Sequence, residues 1–221
     1  NEQSGVGKVI KAVPKQKLKS LGYATEILVI DNNSSDNTSA VARKAGARVI
    51  FEGRQGKPFA LYTGFKAAKG EYIAMLDGDN TYPAEEICEL MKNVNHADLI
   101  VGTRFDTIWD IKKILEPREL AFSRVIANKV GAELGSVICG HRMTDATSGM
   151  RVFKKSVINK IPKIKARGLD FECEFTSRVI KAGLKYKEVK INTNFREGHS
   201  SLSYFSDAIK FLLAFFRGRH S

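Results

Sequence analysis

Residues 72–79 read Tyr-Ile-Ala-Met-Leu-Asp-Gly-Asp. The apolar run 72–76 follows Gly70 and is too short for a helix, so it reads as a buried strand. It runs straight into Asp77-Gly78-Asp79. Working outward, the same grammar recurs. The run 26–30 stops at Asp31-Asn32-Asn33-Ser34, and 48–51 and 98–102 are further short apolar segments. Helices fit between them. Asp36 or Thr38 can cap one that continues to Ala45 and closes at Gly46. Another spans 59–69 with Gly70 as its stop, and Pro83 opens one through about residue 95. Strands alternating with helices at short intervals predict an α/β fold, with a mainly parallel sheet covered on both faces. In such sheets ligands sit at the carboxyl ends of strands, where Asp31 and the Asp77/Asp79 pair fall.

The second half is less regular. Residues 119–137 and 172–181 read as helices, 144–150 as a turn-rich loop, and 185–195 as an edge or mixed strand. Pro14 interrupts the helical stretch 6–21 and predicts a break there. Phe205, Ile209, Leu212, Leu213 and Phe216 share one helical stripe, followed by Arg217 and Arg219. That stripe either packs on the domain or lies at a membrane surface. Residues 1–202 are therefore expected to form one catalytic domain, and 203–221 an appended amphipathic helix.

Composition narrows the partners. Among 221 residues, 36 Lys+Arg stand against 24 Asp+Glu, a net charge of +12. Such a surface favours anionic partners. The basic residues form no dense arm and no helix-turn-helix or zinc-finger spacing, so nucleic acid is not the expected partner. Cys88, Cys139 and Cys173 are odd in number and far apart, which argues for a reducing compartment and against a disulfide framework or structural zinc. No signal peptide and no apolar run of about 18 residues is present.

Asp77-Gly78-Asp79 is the sharpest chemical feature. Two carboxylates one residue apart at a strand end can share a hard divalent cation, which neutralises charge developing on a departing diphosphate. Asp-Gly-Asp is also ordinary turn chemistry. Asp31 reads either as a carboxylate accepting from a nucleobase or ribose, or as an Asx-turn before a helix cap. Gly56-Lys57 can bring N–H groups and an ammonium near a pyrophosphate, or be a plain solvated loop; Walker A spacing is absent.

Taken in order, these segments resemble a known family. The run Ile27-Leu28-Val29-Ile30-Asp31-Asn32-Asn33-Ser34-Ser35-Asp36-Asn37-Thr38, Gly56-Lys57-Pro58-Phe59, Leu76-Asp77-Gly78-Asp79 and Gly102-Thr103-Arg104 match the inverting family 2 glycosyltransferases of the GT-A fold. The segment Asp145-Ala146-Thr147-Ser148-Gly149-Met150-Arg151-Val152-Phe153 is similar to the polyprenyl-phosphate sugar synthases, the group that includes dolichol-phosphate mannose synthase. The resemblance implies a UDP- or GDP-sugar donor and a lipid phosphate acceptor, with work at the cytoplasmic face of a membrane. It implies Mg2+ or Mn2+ on Asp77 and Asp79, the nucleotide near Glu2, Asp31, Lys57 and Gly78, and acceptor contacts from Arg104, Arg151 and either Arg118 or Arg124. Asp145 and Ser148 would line the sugar and acceptor side, with Asp145 the base if the acceptor is a hydroxyl. Arg196, Gly198 and Ser200 would belong to a loop closing over the donor. The sequence departs from the family at Asn32, where a second Asp is usual, at Ser201, where Lys is common, and before Asn1, where the family's first strand is missing. Two other classes stay in view: a sugar-phosphate nucleotidyltransferase and a non-catalytic binding protein on the same scaffold.

Overall fold

The computed structural model describes residues 1–105, 121–168, 170–194 and 213–218, with 121–127 as backbone alone. Pro14 breaks the first helical stretch where expected, leaving α1 (Val6–Ala12) and α2 (Lys15–Ser20) on either side. Its ring cannot donate a backbone hydrogen bond or share space with the preceding turn. Two short parallel strands follow, β1 (Leu28–Asp31) and β2 (Arg48–Phe51), with Leu28 opposite Arg48. Between them α3 (Thr38–Lys44) crosses over and turns back at Gly46, whose φ of 92° suits a residue without Cβ.

The next helix, α4 (Lys57–Ala67), straddles two regions. Its Gly64 lies against Ile30 of β1, where an added Cβ would come within 3.2 Å of Ile30 Cγ1. Its Phe65 instead joins the main core with Met75. That core is organised by a four-stranded sheet in the order β3-β5-β4-β6. Its strands are β3 (Tyr72–Met75), β4 (Leu99–Thr103), β5 (Arg151–Lys154) and β6 (Tyr186–Lys190). The run β3, β4, β6 shares one direction, and β5 runs antiparallel between its two neighbours.

Both sheet faces are covered, so β4 is buried throughout, as a continuous apolar run predicts. Leu99 and Val101 point to one side, among Phe153, Phe171 and Phe175. Ile100 points to the other, among Met150, Val152 and Leu90. On the first side lie α4, α6 (Ala121–Cys139) and α8 (Phe171–Lys181). On the second lies α5 (Ile87–Met91), entered through a single 3-10 turn at Ala84–Glu86. The helix expected over 83–95 is thus divided and shorter.

Three differences from the sequence reading have physical causes. The sheet is in two parts, because β1 pairs with β2 and β3 pairs with β5, with no backbone ladder between them among the described residues. Strand β5 was not expected, since Arg-Val-Phe-Lys has charged ends and no apolar run; pairing on both sides makes it a strand. The short α7 (Val157–Lys160) was likewise unmarked.

Residues 213–218 are helical and dock on α6 and α8. Ala214 and Phe215 are buried, Ser177 Oγ donates to the Phe215 carbonyl at 2.9 Å, and Arg217 pairs with Asp170 and Glu174. Of the apolar stripe, the two described residues, Leu213 and Phe216, remain 51% and 42% exposed. Phe205, Ile209 and Leu212 lie outside the described residues. Among the described residues no helix is long and apolar enough to cross a membrane.

Candidate active site

The ends of β1, β3 and β4 converge on one region. At the end of β3 the chain turns through Asp77-Gly78-Asp79, and Asn80 adopts a φ of 60°, which Asn tolerates better than most residues. Asp79 is buried, and its Oδ1 accepts the Thr81 N–H at 3.0 Å. Asp77 Oδ1 accepts from the Lys57 ammonium at 2.8 Å. Lys57 also lies 2.5 Å from Glu172 Oε1, at angles outside hydrogen-bond geometry. Burial disfavours charge on Lys57, but the two carboxylates outweigh it and raise its pKa.

The other side of Asp77 faces Gly149. A Cβ at 149 would overlap Asp77 Oδ2 and come within 2.9 Å of Asp77 Cγ. Tyr82, itself buried, fixes this loop by accepting the Gly149 N–H at 3.0 Å. Glu2 packs by Gly78 and Gly5 comes close enough that an added Cβ would lie 2.6 Å from the Gly78 carbonyl oxygen, so the N-terminal residues back the same turn.

These features fit a divalent ion. Asp77 already holds a cation in a partly exposed position, and Gly149 leaves its second oxygen a cradle that a side chain would fill. Among the described residues no group of three or more His, Cys, Asp or Glu side chains is placed to hold a metal ion. Mg2+ is commonly held by one or two carboxylates with substrate phosphates completing the shell.

Beside this pair stands a second constellation. Asp145 is buried completely and receives four hydrogen bonds. Arg104 donates from Nε at 2.7 Å, Nη2 at 2.7 Å and its backbone N–H at 3.2 Å, and Asn128 Nδ2 donates at 2.8 Å. Burial alone would raise the Asp145 pKa, but Arg104 overcomes it and holds the carboxyl below its usual value. Asp145 is therefore an anchor with its lone pairs engaged, which does not suit the base role the resemblance allowed. Arg104 keeps a quarter of its side chain exposed and feels the Asp77 charge as well. The loop carrying Asp145 is pinned from β6, where Glu188 accepts from the Thr144 N–H at 2.9 Å and Thr144 Oγ1 at 2.6 Å.

Other expected residues are placed differently. Arg151 does not reach an acceptor: it is buried, donating to the Ser148 carbonyl at 2.9 Å and to Thr176 Oγ1 at 2.7 Å. Ser148 is also buried, its hydroxyl bonded to the Gly102 carbonyl at 2.5 Å, and so straps the loop to β4. Asp31 accepts from the Ser34 N–H at 3.0 Å and Ser39 Oγ at 2.6 Å, the Asx-type arrangement. Burial opposes its charge, but these bonds hold its pKa below the usual value. A carboxylate has about four acceptor sites, so the two bonds do not exhaust it. Arg118, Arg196, Gly198 and Ser200 lie outside the described residues, as does the side chain of Arg124.

Asn32 explains one departure from the family. Its Nδ2 donates to the carbonyls of Glu52 at 3.1 Å and Arg54 at 2.7 Å, while Oδ1 accepts the Gly56 N–H at 2.7 Å. The amide thereby fixes the loop that delivers Lys57. Aspartate cannot donate, and it would set a charge against two carbonyl oxygens. Asn32→Asp is expected to destabilise the fold by about 1–3 kcal/mol, visible as a lower midpoint in urea at neutral pH. An unchanged midpoint would show that the loop is held elsewhere. Asn128, Tyr82, Glu172 and Glu188 join the site with no local signal in the sequence.

The fold that carries this site is the α/β architecture of the GT-A type. Glycosyl transferase family 2 matches residues 1–162, and the chain belongs to that family. Over 218 residues it is 30% identical to the low-salt glycan biosynthesis hexosyltransferase Agl6 of Haloferax volcanii, covering 96% of this chain and 51% of the relative. The chain thus spans about half that relative's length. It is 26% identical over 208 residues to the dolichyl-phosphate hexose transferase of the same organism, covering 93% and 84% respectively. Among solved structures, glucosyl-3-phosphoglycerate synthase of Mycobacterium tuberculosis superposes with a TM-score of 0.74 at 17% identity, covering 100% of this chain and 77% of that one. The same enzyme is known bound to Mn2+, UDP-glucose and phosphoglyceric acid, with a TM-score of 0.68 at 18% identity, covering 99% and 76%.

Proposed function

We propose that this chain moves a hexose from a UDP- or GDP-sugar to a polyprenyl (dolichyl-type) phosphate, using Mg2+ or Mn2+ held by Asp77 and Asp79. The observation that carries the choice of acceptor is the state of Asp145. A hydroxyl acceptor needs a base with a lone pair to spare, and this carboxylate has its oxygens engaged by Arg104 and Asn128. A phosphate monoester is already an anionic nucleophile and needs only to be held in line. Arg104, oriented by Asp145 and partly exposed, supplies a planar donor for that purpose. When bound, the metal offsets charge on the leaving diphosphate. Lys57 adds a second cation on the same side, and Asp31 and Glu2 stand at the nucleoside end. The naming of one relative as a dolichyl-phosphate hexose transferase supports the acceptor class, and the complexes of the M. tuberculosis enzyme support the donor and metal.

Contact with a membrane surface belongs to the same reading. The net charge of +12 favours anionic lipid headgroups. Two apolar surfaces stand exposed on elements that meet at Gly135: Val130, Leu134 and Val137 of α6, spaced for one helix face, and Leu213 with Phe216. Work at the cytoplasmic face would follow from a cytoplasmic donor.

The deciding experiment pairs a thermal-shift panel of UDP- and GDP-sugars, with and without Mn2+, with a transfer assay. A metal-dependent rise in Tm with one base, and label moving into polyprenyl phosphate in anionic vesicles, is the expected result. Label moving only into free saccharides would overturn the acceptor. Pyrophosphate release from a nucleoside triphosphate would point instead to the nucleotidyltransferase class.

A further inference from the structure

Glu172 has no part in the mechanism so far, yet it is a nearly buried acid in contact with Lys57. It sits in the first turn of α8, its side chain 3% exposed, and lies 2.5 Å from the Lys57 ammonium that also holds Asp77. Exposure falls steadily along this line: Asp77 34%, Lys57 24%, Glu172 3%. A single ammonium thus lies between an outer carboxylate that faces solvent and an inner one that does not. The ammonium donates to Asp77 Oδ1 at 2.8 Å and lies 2.5 Å from the buried Glu172 Oε1, so it bridges the two carboxylates.

A divalent ion on Asp77 cannot share Oδ1 with an ammonium at hydrogen-bond distance. Two cations there repel, and one must withdraw. Among the described residues, the second carboxylate on Lys57 is Glu172, on the inner side. We infer that Glu172 is a positioning residue, the retreat for the Lys57 ammonium when a metal ion takes Asp77. This rests on the metal-binding reading of Asp77 and Asp79. The ammonium acts as a resident counter-charge on Asp77 without metal and stays on Glu172 alone with it. Glu172 keeps the exchange close to neutral in energy, since Lys57 keeps one carboxylate partner when it gives up the other.

The test measures metal binding directly, by Mn2+ electron paramagnetic resonance titration of the full chain without donor. Glu172→Gln keeps the shape but removes the retreat, so Lys57 competes for Asp77 and Mn2+ should bind about tenfold more weakly, the size of coupling common between contacting charged residues. In the Lys57→Met background the competitor is gone, and adding Glu172→Gln should change Mn2+ affinity less than about twofold. Glu172→Asp, which keeps the charge, should stay near wild type. An equal loss in both backgrounds would overturn the inference, making Glu172 a metal ligand or a general source of field. No loss in either background would overturn it too. If the wild-type chain itself fails to bind Mn2+ while Tm and circular dichroism show it folded, the metal reading falls instead.

Discussion

Arg104→Ala is expected to cost more than any other single change in the site, in both stability and activity. Removing the guanidinium strips two of the four hydrogen bonds on Asp145, leaving the Arg104 backbone N–H and Asn128. The carboxylate has no exposed side-chain surface on which to find water. Breaking a buried pair in this way costs about 3–5 kcal/mol, because one charge is left uncompensated. The pH dependence should reverse sign. In the wild type the Asp145 pKa is depressed, so its contribution to stability is present above the unfolded carboxyl value and lost as pH falls through the folded one. In the variant burial is opposed only by the Asn128 amide and the residue-104 backbone N–H, so that pKa should rise. The protonated form then fits the fold better, and stability lost at neutral pH should partly return in acid. Melting curves at several pH values check this. Arg104→Ala combined with Asp145→Asn should recover much of the stability at neutral pH, since no charge is stranded, yet leave transfer low with a raised acceptor KM. Full activity in that double variant would remove Arg104 from the acceptor site.

Gly149→Ala should affect activity far more than stability. The added methyl overlaps Asp77 Oδ2, and the loop cannot simply retreat while Tyr82 holds the Gly149 N–H at 3.0 Å. Asp77 must rotate instead, which disturbs its pair with Lys57 and its presentation to a metal. Crowding of this sort costs about 1–3 kcal/mol in stability. A displacement of about 1 Å at a reacting site costs on the order of a hundredfold in rate, so kcat should fall by about that much. Mn2+ affinity should drop in parallel. If transfer and metal binding are both unchanged, Asp77 is not where the ion sits.

What could be read beforehand follows a simple division. Features written in consecutive residues were legible: the strand before Asp77, the break at Pro14, and the end of β1 at Asp31. For the C-terminal stripe the sequence left packing and exposure both open, and it gave no sign of the face by which that segment docks. Features that exist only across the fold were not legible. Glu172 reaches Lys57 from a helix far along the chain, Asn128 reaches Asp145 from α6, and Glu188 holds Thr144 from β6. No spacing announces such meetings. Strand β5 escaped because its hydrogen-bond partners, not its own side chains, make it a strand. Arg151 misled for a related reason: a charged residue beside a motif looks available until its burial against Thr176 is seen.

The divided sheet has a mechanical meaning. Asp31 ends a strand of one plate and Asp77 follows a strand of the other, and among the described residues no strand ladder joins the plates, which α4 packs against on both sides. A long molecule spanning both aspartates would act as a tie rod. Its arrival should quieten amide exchange along β1 and β3 together, even at amides it never touches, whereas a fragment gripping one end should still only its own plate.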